Sequence, residues 1–308
     1  VPITAYLGAV GMPGVTAWIG LNEFGKPQSG ETVVVSAASG AVGSAAGQLA
    51  KLKGCHVIGI AGGKAKCEYV VDELGFDACI DYKAGRLDAD LAAACPRGID
   101  VYFVGDSITR RWGATDYPQF LANWNQNFHG WNAGNFGWGG DTTQNILWRL
   151  DNGELDAVNP KVIVILAGTN NVGREVGNEA KVADVTRGLK AIVDRCRAKA
   201  PNATLVLTAI FPRNDNPAVV PTLNAINAGL ARLADGKKVW FLDVNAKLAD
   251  ADGKLFDGMM GDRLHPSLKG YQVWADGLKP ILMELLGPPA ATDHAPPPTG
   301  DPSAAAKK

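Results

Sequence analysis

A chain of 308 residues, 46% hydrophobic and 20% charged, has the length for one large or two ordinary domains and the composition of a globular protein. Its formal net charge is −1, with Lys/Arg against Asp/Glu at 8 to 9 over residues 1–98 and 22 to 22 over the rest, so neither half carries the basic field that nucleic acid or an anionic membrane demands. No uninterrupted apolar run reaches about 18 residues, so no transmembrane helix is expected and the chain reads as soluble; a chain opening on Val1 leaves a trimmed leader open, and the compartment stays open with the cytoplasm favoured.

Thr32 to Ser36 (TVVVS) is a β-branched run that reads as a strand, and the small residues of AASGAVGSAAGQLAKLKG turn the chain into a helix reaching toward Lys53. Val57 to Ile60 follows as a second strand, Lys64 to Leu74 as a helix stopped by Gly75, and Ala78 to Ile80 as a short third strand. Ile99 to Val104 is a further buried-strand run with two candidate owners, the sheet before it or a sheet after it. Beyond it Val162 to Leu166, Thr204 to Thr208 and Val239 to Leu242 are strands, separated by helical stretches around Val182 to Ala198 and Pro221 to Leu233. This alternation predicts parallel sheets and an α/β fold. From Gly287 the segment GPPAATDHAPPPTGDPSAAAKK lacks any apolar period and reads as a disordered tail over 287–308. Cys55, Cys67, Cys79, Cys95 and Cys196 show neither a CxxC pair nor histidines at ligand spacing, so they read as buried thiols and no metal site is expected.

ASGAVG, Ala38 to Gly43, places glycines where a backbone meets a pyrophosphate at a helix N-terminus. With LGAVGMPGVTAWIGL before it and GFDACIDYK after it, the first part resembles the medium-chain dehydrogenase/reductase family, in particular its zinc-free NADP-dependent double-bond reductases. The resemblance implies Gly40 and Gly43 at the phosphates, Lys66 at the 2′-phosphate of NADP and Tyr82 beside it. That family would place its substrate domain before Val1 and the rest of its sheet after Phe103. With both missing, residues 1–98 read as a truncated Rossmann-type domain, redox-inactive and serving structure or homo-oligomer assembly, with NADP left as an open ligand.

VGDSIT, Val104 to Thr109, puts a serine directly after a buried strand, where its hydroxyl would stand at the carboxyl edge of a parallel sheet; the same serine would equally serve as a helix N-cap. Three further segments tip the balance: NFGWGGDTT (Asn135 to Thr143), LAGTNN (Leu166 to Asn171) and GDRLHPSLKGY (Gly261 to Tyr271). Together the four resemble the SGNH, or GDSL-type, hydrolases over about residues 99–286, in the branch similar to platelet-activating-factor acetylhydrolases and acetylesterases. The resemblance implies Ser107 as nucleophile, Asp262 and His265 completing a triad, and Gly140 and Asn170 as oxyanion donors.

Chemistry fits this assignment. A serine needs a base, and only four histidines are on offer. His56 lies in the first part, His294 in the tail, and His129 has no carboxylate close in sequence, whereas His265 follows Asp262 by three residues, so one turn can set a carboxylate against its ring. Asp106 and Asp141 are expected to bond turn N–H groups, and Trp138 to wall the pocket. The resemblance further implies a flavodoxin-like, three-layer domain over 99–286 with Ile99 to Val104 central. It implies hydrolysis of short-chain, acetyl-type carboxylic esters through an acyl-enzyme, with a small-molecule ester as partner and no metal or cofactor. The alternative is an NADP-dependent enone or quinone reductase, or nucleotide sensing, by the first part.

Overall fold

The computed structural model describes residues 8, 10–94, 98–156 and 158–305. Cys95 and the last residues of the chain, 306–308, lie outside them. The chain divides into two compact units, Val1–Arg97 and Gly98–Lys308, each with its own core.

The first unit runs α1 (Met12–Ile19), β1 (Thr32–Val35), α2 (Ala41–Leu52), β2 (His56–Ala61), α3 (Lys64–Asp72), β3 (Ala78–Asp81) and α4 (Leu87–Ala94). Its three strands form a parallel sheet in the order β1-β2-β3, with Thr32 opposite His56 and Ile58 opposite Ala78. Gly47 lets α2 lie close on the buried Phe76 ring, because a Cβ there would stand 1.9 Å from it. Helix α1 packs on α2, and among the described residues no strand pairs with the outer edge of β1.

The second unit continues with β4 (Val101–Gly105), α5 (Ser107–Trp112), α6 (Pro118–Phe128), β5 (Ala133–Asn135), α7 (Thr143–Asp151), β6 (Val162–Leu166), α8 (Thr169–Val172), α9 (Glu179–Lys199), β7 (Thr204–Thr208), α10 (Val220–Ala231), β8 (Val239–Leu242), α11 (Leu268–Leu286) and α12 (Pro302–Ala305). All five strands are parallel in the order β5-β4-β6-β7-β8, the flavodoxin-like 2-1-3-4-5 arrangement. Strand β4 therefore belongs to this sheet, held by β6 from Val101 against Val162 to Gly105 against Leu166. It lies second from the edge rather than at the centre, because Ala133–Asn135, which sequence pattern did not reveal, pairs on its other side.

Strand β4 is buried on both faces, and its alternate residues serve different cores. Tyr102 and Val104 face the layer of α7, α9 and α10, where Ile146, Leu189 and Ile226 are buried. Val101 and Phe103 face α5, α6 and α11. There the Trp112 ring stacks 4.8 Å from Trp274 and 4.9 Å from Tyr271, and the Tyr271 hydroxyl donates to the Ile108 carbonyl at 2.7 Å. The helix that follows the proposed nucleophile is thereby welded to α11, which follows His265.

The expectation of a disordered tail is corrected for residues 287–305. Trp131 Nε1 donates to the Gly287 carbonyl (3.0 Å), Gly130 N to Asp293 Oδ2 (2.8 Å), and Arg110 Nη2 to Thr299 Oγ1 (2.7 Å). Sequence pattern misses such docking because it rests on polar groups and carbonyls, with no apolar stripe.

Candidate active site

Parallel strands end together, and the loops after β4, β5, β6 and β7 gather at one edge of the sheet. After β4 comes Asp106, whose Oδ1 accepts the Ile108 N–H at 2.9 Å and so caps α5, fixing Ser107 in its first turn. Ser107 Oγ lies 2.8 Å from His265 Nε2. The opposite ring nitrogen, Nδ1, is 2.8 and 2.9 Å from the two Asp262 carboxylate oxygens. Asp262 also accepts the His265 backbone N–H at 2.8 Å and Arg111 Nη1 at 3.0 Å. Burial alone would raise the Asp262 pKa, but the His265 N–H, the neighbouring imidazole and Arg111 outweigh it and bring it down to about 2. This carboxylate is thus ionised across the pH range in which a histidine titrates, and its contact with Nδ1 holds the ring with Nε2 facing Ser107 Oγ.

The loop after β5 lies across this helix. Trp138 N donates to the Gly105 carbonyl at 3.0 Å, and a Cβ on Gly137 would stand 2.5 Å from Arg110 N, so only glycine admits the approach. Gly140 has φ +84°, a conformation glycine adopts without strain. Asn170 Nδ2 donates to the Asp141 carbonyl at 2.8 Å, which brings Asn170 against the Gly140 turn. Asn171 holds the start of α7 by accepting Thr143 N at 2.9 Å. The Trp138 side chain is 43% exposed beside the site. Asp141 departs from its expected part: its carboxylate pairs with Arg149 at 2.8 Å rather than bonding turn N–H groups, and Arg149 also reaches Glu154.

Residues that sequence reasoning missed complete the frame. Arg213, 4% exposed in the loop after β7, donates through Nη1 to Thr169 O (3.1 Å) and Thr169 Oγ1 (3.0 Å), and holds Asp215 with its other nitrogens. Asn214 N, next in the chain, donates to the Arg263 carbonyl at 3.0 Å. One short loop thus ties the Asn170 segment to the Asp262–His265 segment. The signal was the PRND run directly after a predicted strand, an Arg and an Asp at the sheet's functional edge.

The other sequence-selected residues lie in the first unit. Gly40 caps α2 and Gly43 packs in its first turn, where a Cβ would stand 2.3 Å from the Ala37 carbonyl. Lys66 is exposed, and the Tyr82 ring covers Gly62.

Residues 103–273 match the model of the GDSL-like Lipase/Acylhydrolase family. The chain belongs to that family. Among relatives of this GDSL-like unit, the platelet-activating factor acetylhydrolase IB subunit alpha1 of Bos taurus is 35% identical over 189 residues, 61% of this chain and 76% of the relative. A GDSL-like lipase of Bacteroides thetaiotaomicron shares the fold at 20% identity and a TM-score of 0.50, over 67% of this chain and 98% of that one. The first unit is Rossmann-like: residues 41–108 match the zinc-binding dehydrogenase family. The NADPH-dependent curcumin reductase of Escherichia coli is 54% identical over 97 residues, 32% of this chain, which spans only 28% of the reductase's length. Both family models claim residues 103–108, and the strand pairing places Phe103 to Gly105 of them in the hydrolase sheet.

Proposed function

We propose that this acylhydrolase is a serine esterase that cleaves short-chain, acetyl-type carboxylic esters through an acyl-enzyme. The observation that carries this reading is the unbroken hydrogen-bonded run from Ser107 Oγ through His265 to Asp262 at the sheet's carboxyl edge. Ser107 Oγ attacks the ester carbonyl carbon while its proton passes to His265 Nε2, and Asp262 steadies the imidazolium. The carbonyl oxygen, now an oxyanion, is met by the backbone N–H groups of Ser107 and Gly140 and the Asn170 amide. Collapse breaks the bond to the leaving alkoxy group, which takes the proton from Nε2. A water molecule then repeats the sequence on the acyl-serine, releasing the carboxylic acid and restoring Ser107. Every proton transfer uses the chain's own side chains, so turnover calls for neither metal nor cofactor. The acetyl preference is supported by the relative named an acetylhydrolase.

The test is steady-state hydrolysis of p-nitrophenyl acetate against longer esters. Ser107→Ala and His265→Ala should each lower kcat by about 10⁴-fold or more. Near-wild-type kcat in either variant would overturn the reading.

A second reading concerns the first unit, supported by its identity to the curcumin reductase. Gly40, Gly43 and the N-terminus of α2 suit the pyrophosphate of NADP, and the exposed Lys66 suits its 2′-phosphate. NADP would bring hydride chemistry, but the described residues of this unit end their sheet at β1, where further strands would wall a nicotinamide. We propose that this unit is redox-inactive.

A further inference from the structure

The segment after α11 returns to the active site. Ala290 N donates to the Gly130 carbonyl at 2.9 Å and His294 N to Asn132 Oδ1 at 2.7 Å, which lays the strap beside β5. Pro296, Pro297 and Pro298 then roof a cavity of about 110 Å³ against Trp124 and Asn135. Further on, Arg110, 7% exposed on the helix of Ser107, gathers the carbonyls of Thr299 and Gly300. Asp301 is 6% exposed; its N–H donates to Asp116, and its carboxylate accepts both the backbone N–H (3.1 Å) and the hydroxyl of Ser303. With its proton given to Asp301, Ser303 Oγ turns a lone pair outward and accepts the N–H of Gly139 at 3.1 Å.

That last bond lands one residue before the proposed oxyanion donor. Two consecutive glycines leave the Gly139–Gly140 backbone with wide conformational freedom, yet an oxyanion donor is worth most when its direction is fixed beforehand. Around them Trp138 N is bound to the Gly105 carbonyl, and the Asp141 carbonyl to Asn170. Between these ties the N–H of Gly139 has Ser303 as its partner. A Cβ built on Gly139 would meet Ser303 Oγ at 2.1 Å and Ser107 Cβ at 4.0 Å, so the strap hydroxyl and the proposed nucleophile flank the same glycine. The strap lies outside residues 103–273, the stretch that matches the family model.

We propose that Ser303, held by Asp301, is a positioning residue of the esterase: it fixes the Gly139 peptide so that the neighbouring Gly140 N–H stays aimed at the developing oxyanion. The inference rests on the proposed serine-esterase mechanism. Its test uses the full chain with p-nitrophenyl acetate, comparing Ser303→Ala, Ser303→Thr and Asp301→Asn with Ser107→Ala. Ser303→Ala should lower kcat by about 10-fold, less than the 10²–10³ that follows loss of a donor itself, with KM within about two-fold and Tm within about 2 °C. Ser303→Thr, which keeps the hydroxyl, should restore kcat, and Asp301→Asn should fall between. Unchanged kcat in Ser303→Ala would overturn the inference, and so would a rise in kcat/KM, which would make the strap a plug over Ser107. Activity surviving in Ser107→Ala would sink the esterase mechanism itself, whereas a dead Ser107→Ala beside a wild-type-like Ser303→Ala would remove the positioning role alone.

Discussion

Asp106 stands beside the proposed nucleophile with no exposed surface; one carboxylate oxygen caps α5, and the other is buried without a hydrogen-bond partner. Burial pushes its pKa from an ordinary 3.8 to about 7; the Ile108 N–H and the Arg213 charge oppose the rise, and the Asp141 charge adds to it. The folded protein therefore keeps this proton up to about pH 7, while the unfolded chain gives it up near 3.8. Between those values the unfolded state holds fewer protons, so stability falls as pH rises and the whole cost is present above the folded pKa. At about 1.4 kcal/mol for each tenfold change in proton affinity, the interval amounts to roughly 4 kcal/mol. Asp106→Asn removes the titration while its amide oxygen keeps the cap. The two proteins should be similarly stable near about pH 4, and the variant should lead by roughly 4 kcal/mol at about pH 8, or roughly 2 M in urea midpoint. Urea unfolding followed by tryptophan fluorescence reads the hydrolase unit, which holds all but Trp18 of the eight tryptophans. A stability difference that stays constant across this pH range would refute the reasoning. The variant's kcat should stay within a few-fold, because Asp106 orients a turn and touches no reacting atom.

Asn170→Ala should lower kcat by about 100-fold or more with KM within a few-fold, the signature of a contact made mainly in the transition state; a large KM rise at unchanged kcat would place Asn170 in substrate binding instead. For the first unit, fluorescence titration with NADPH should show binding weakened by Lys66→Glu, and an enone added to the mixture should leave NADPH unoxidised. Steady enone-dependent oxidation would make this unit a reductase.

The strands announce themselves in β-branched and aliphatic runs: VIVIL because a parallel strand buried on both faces can carry little else, and TVVVS through β-branched propensity alone, since Val34 is 42% exposed. Ala133–Asn135 escapes the same reading: Ala, Gly and Asn have poor strand propensity, and it pairs because Asn132, at φ +48°, turns the chain there and its carbonyl takes the Asp100 N–H. Ser107, Asp262 and His265 were legible from motif spacing, and the structure brings them into one hydrogen-bonded line. Arg213 left only the PRND run after a strand as its signal, and its partner Thr169 lies far away in sequence. Ser303 left none, since a serine in a Pro/Ala-rich segment looks like surface until the N–H it meets is known.

Phe103 to Gly105 of strand β4 are claimed by two family models and used by one sheet, and this makes the strand a portable joint. A parallel strand has the same handedness, spacing and two-sided burial in a dinucleotide fold as in a flavodoxin-like one, and in each the following turn opens at the ligand edge. A chain that changes lineage inside such a strand asks its five residues for no new conformation; only the neighbours change. Recombination at that place exchanges everything downstream while leaving the local folding code intact, and the cost falls on the sheet left behind, whose β1 edge is without a partner strand among the described residues.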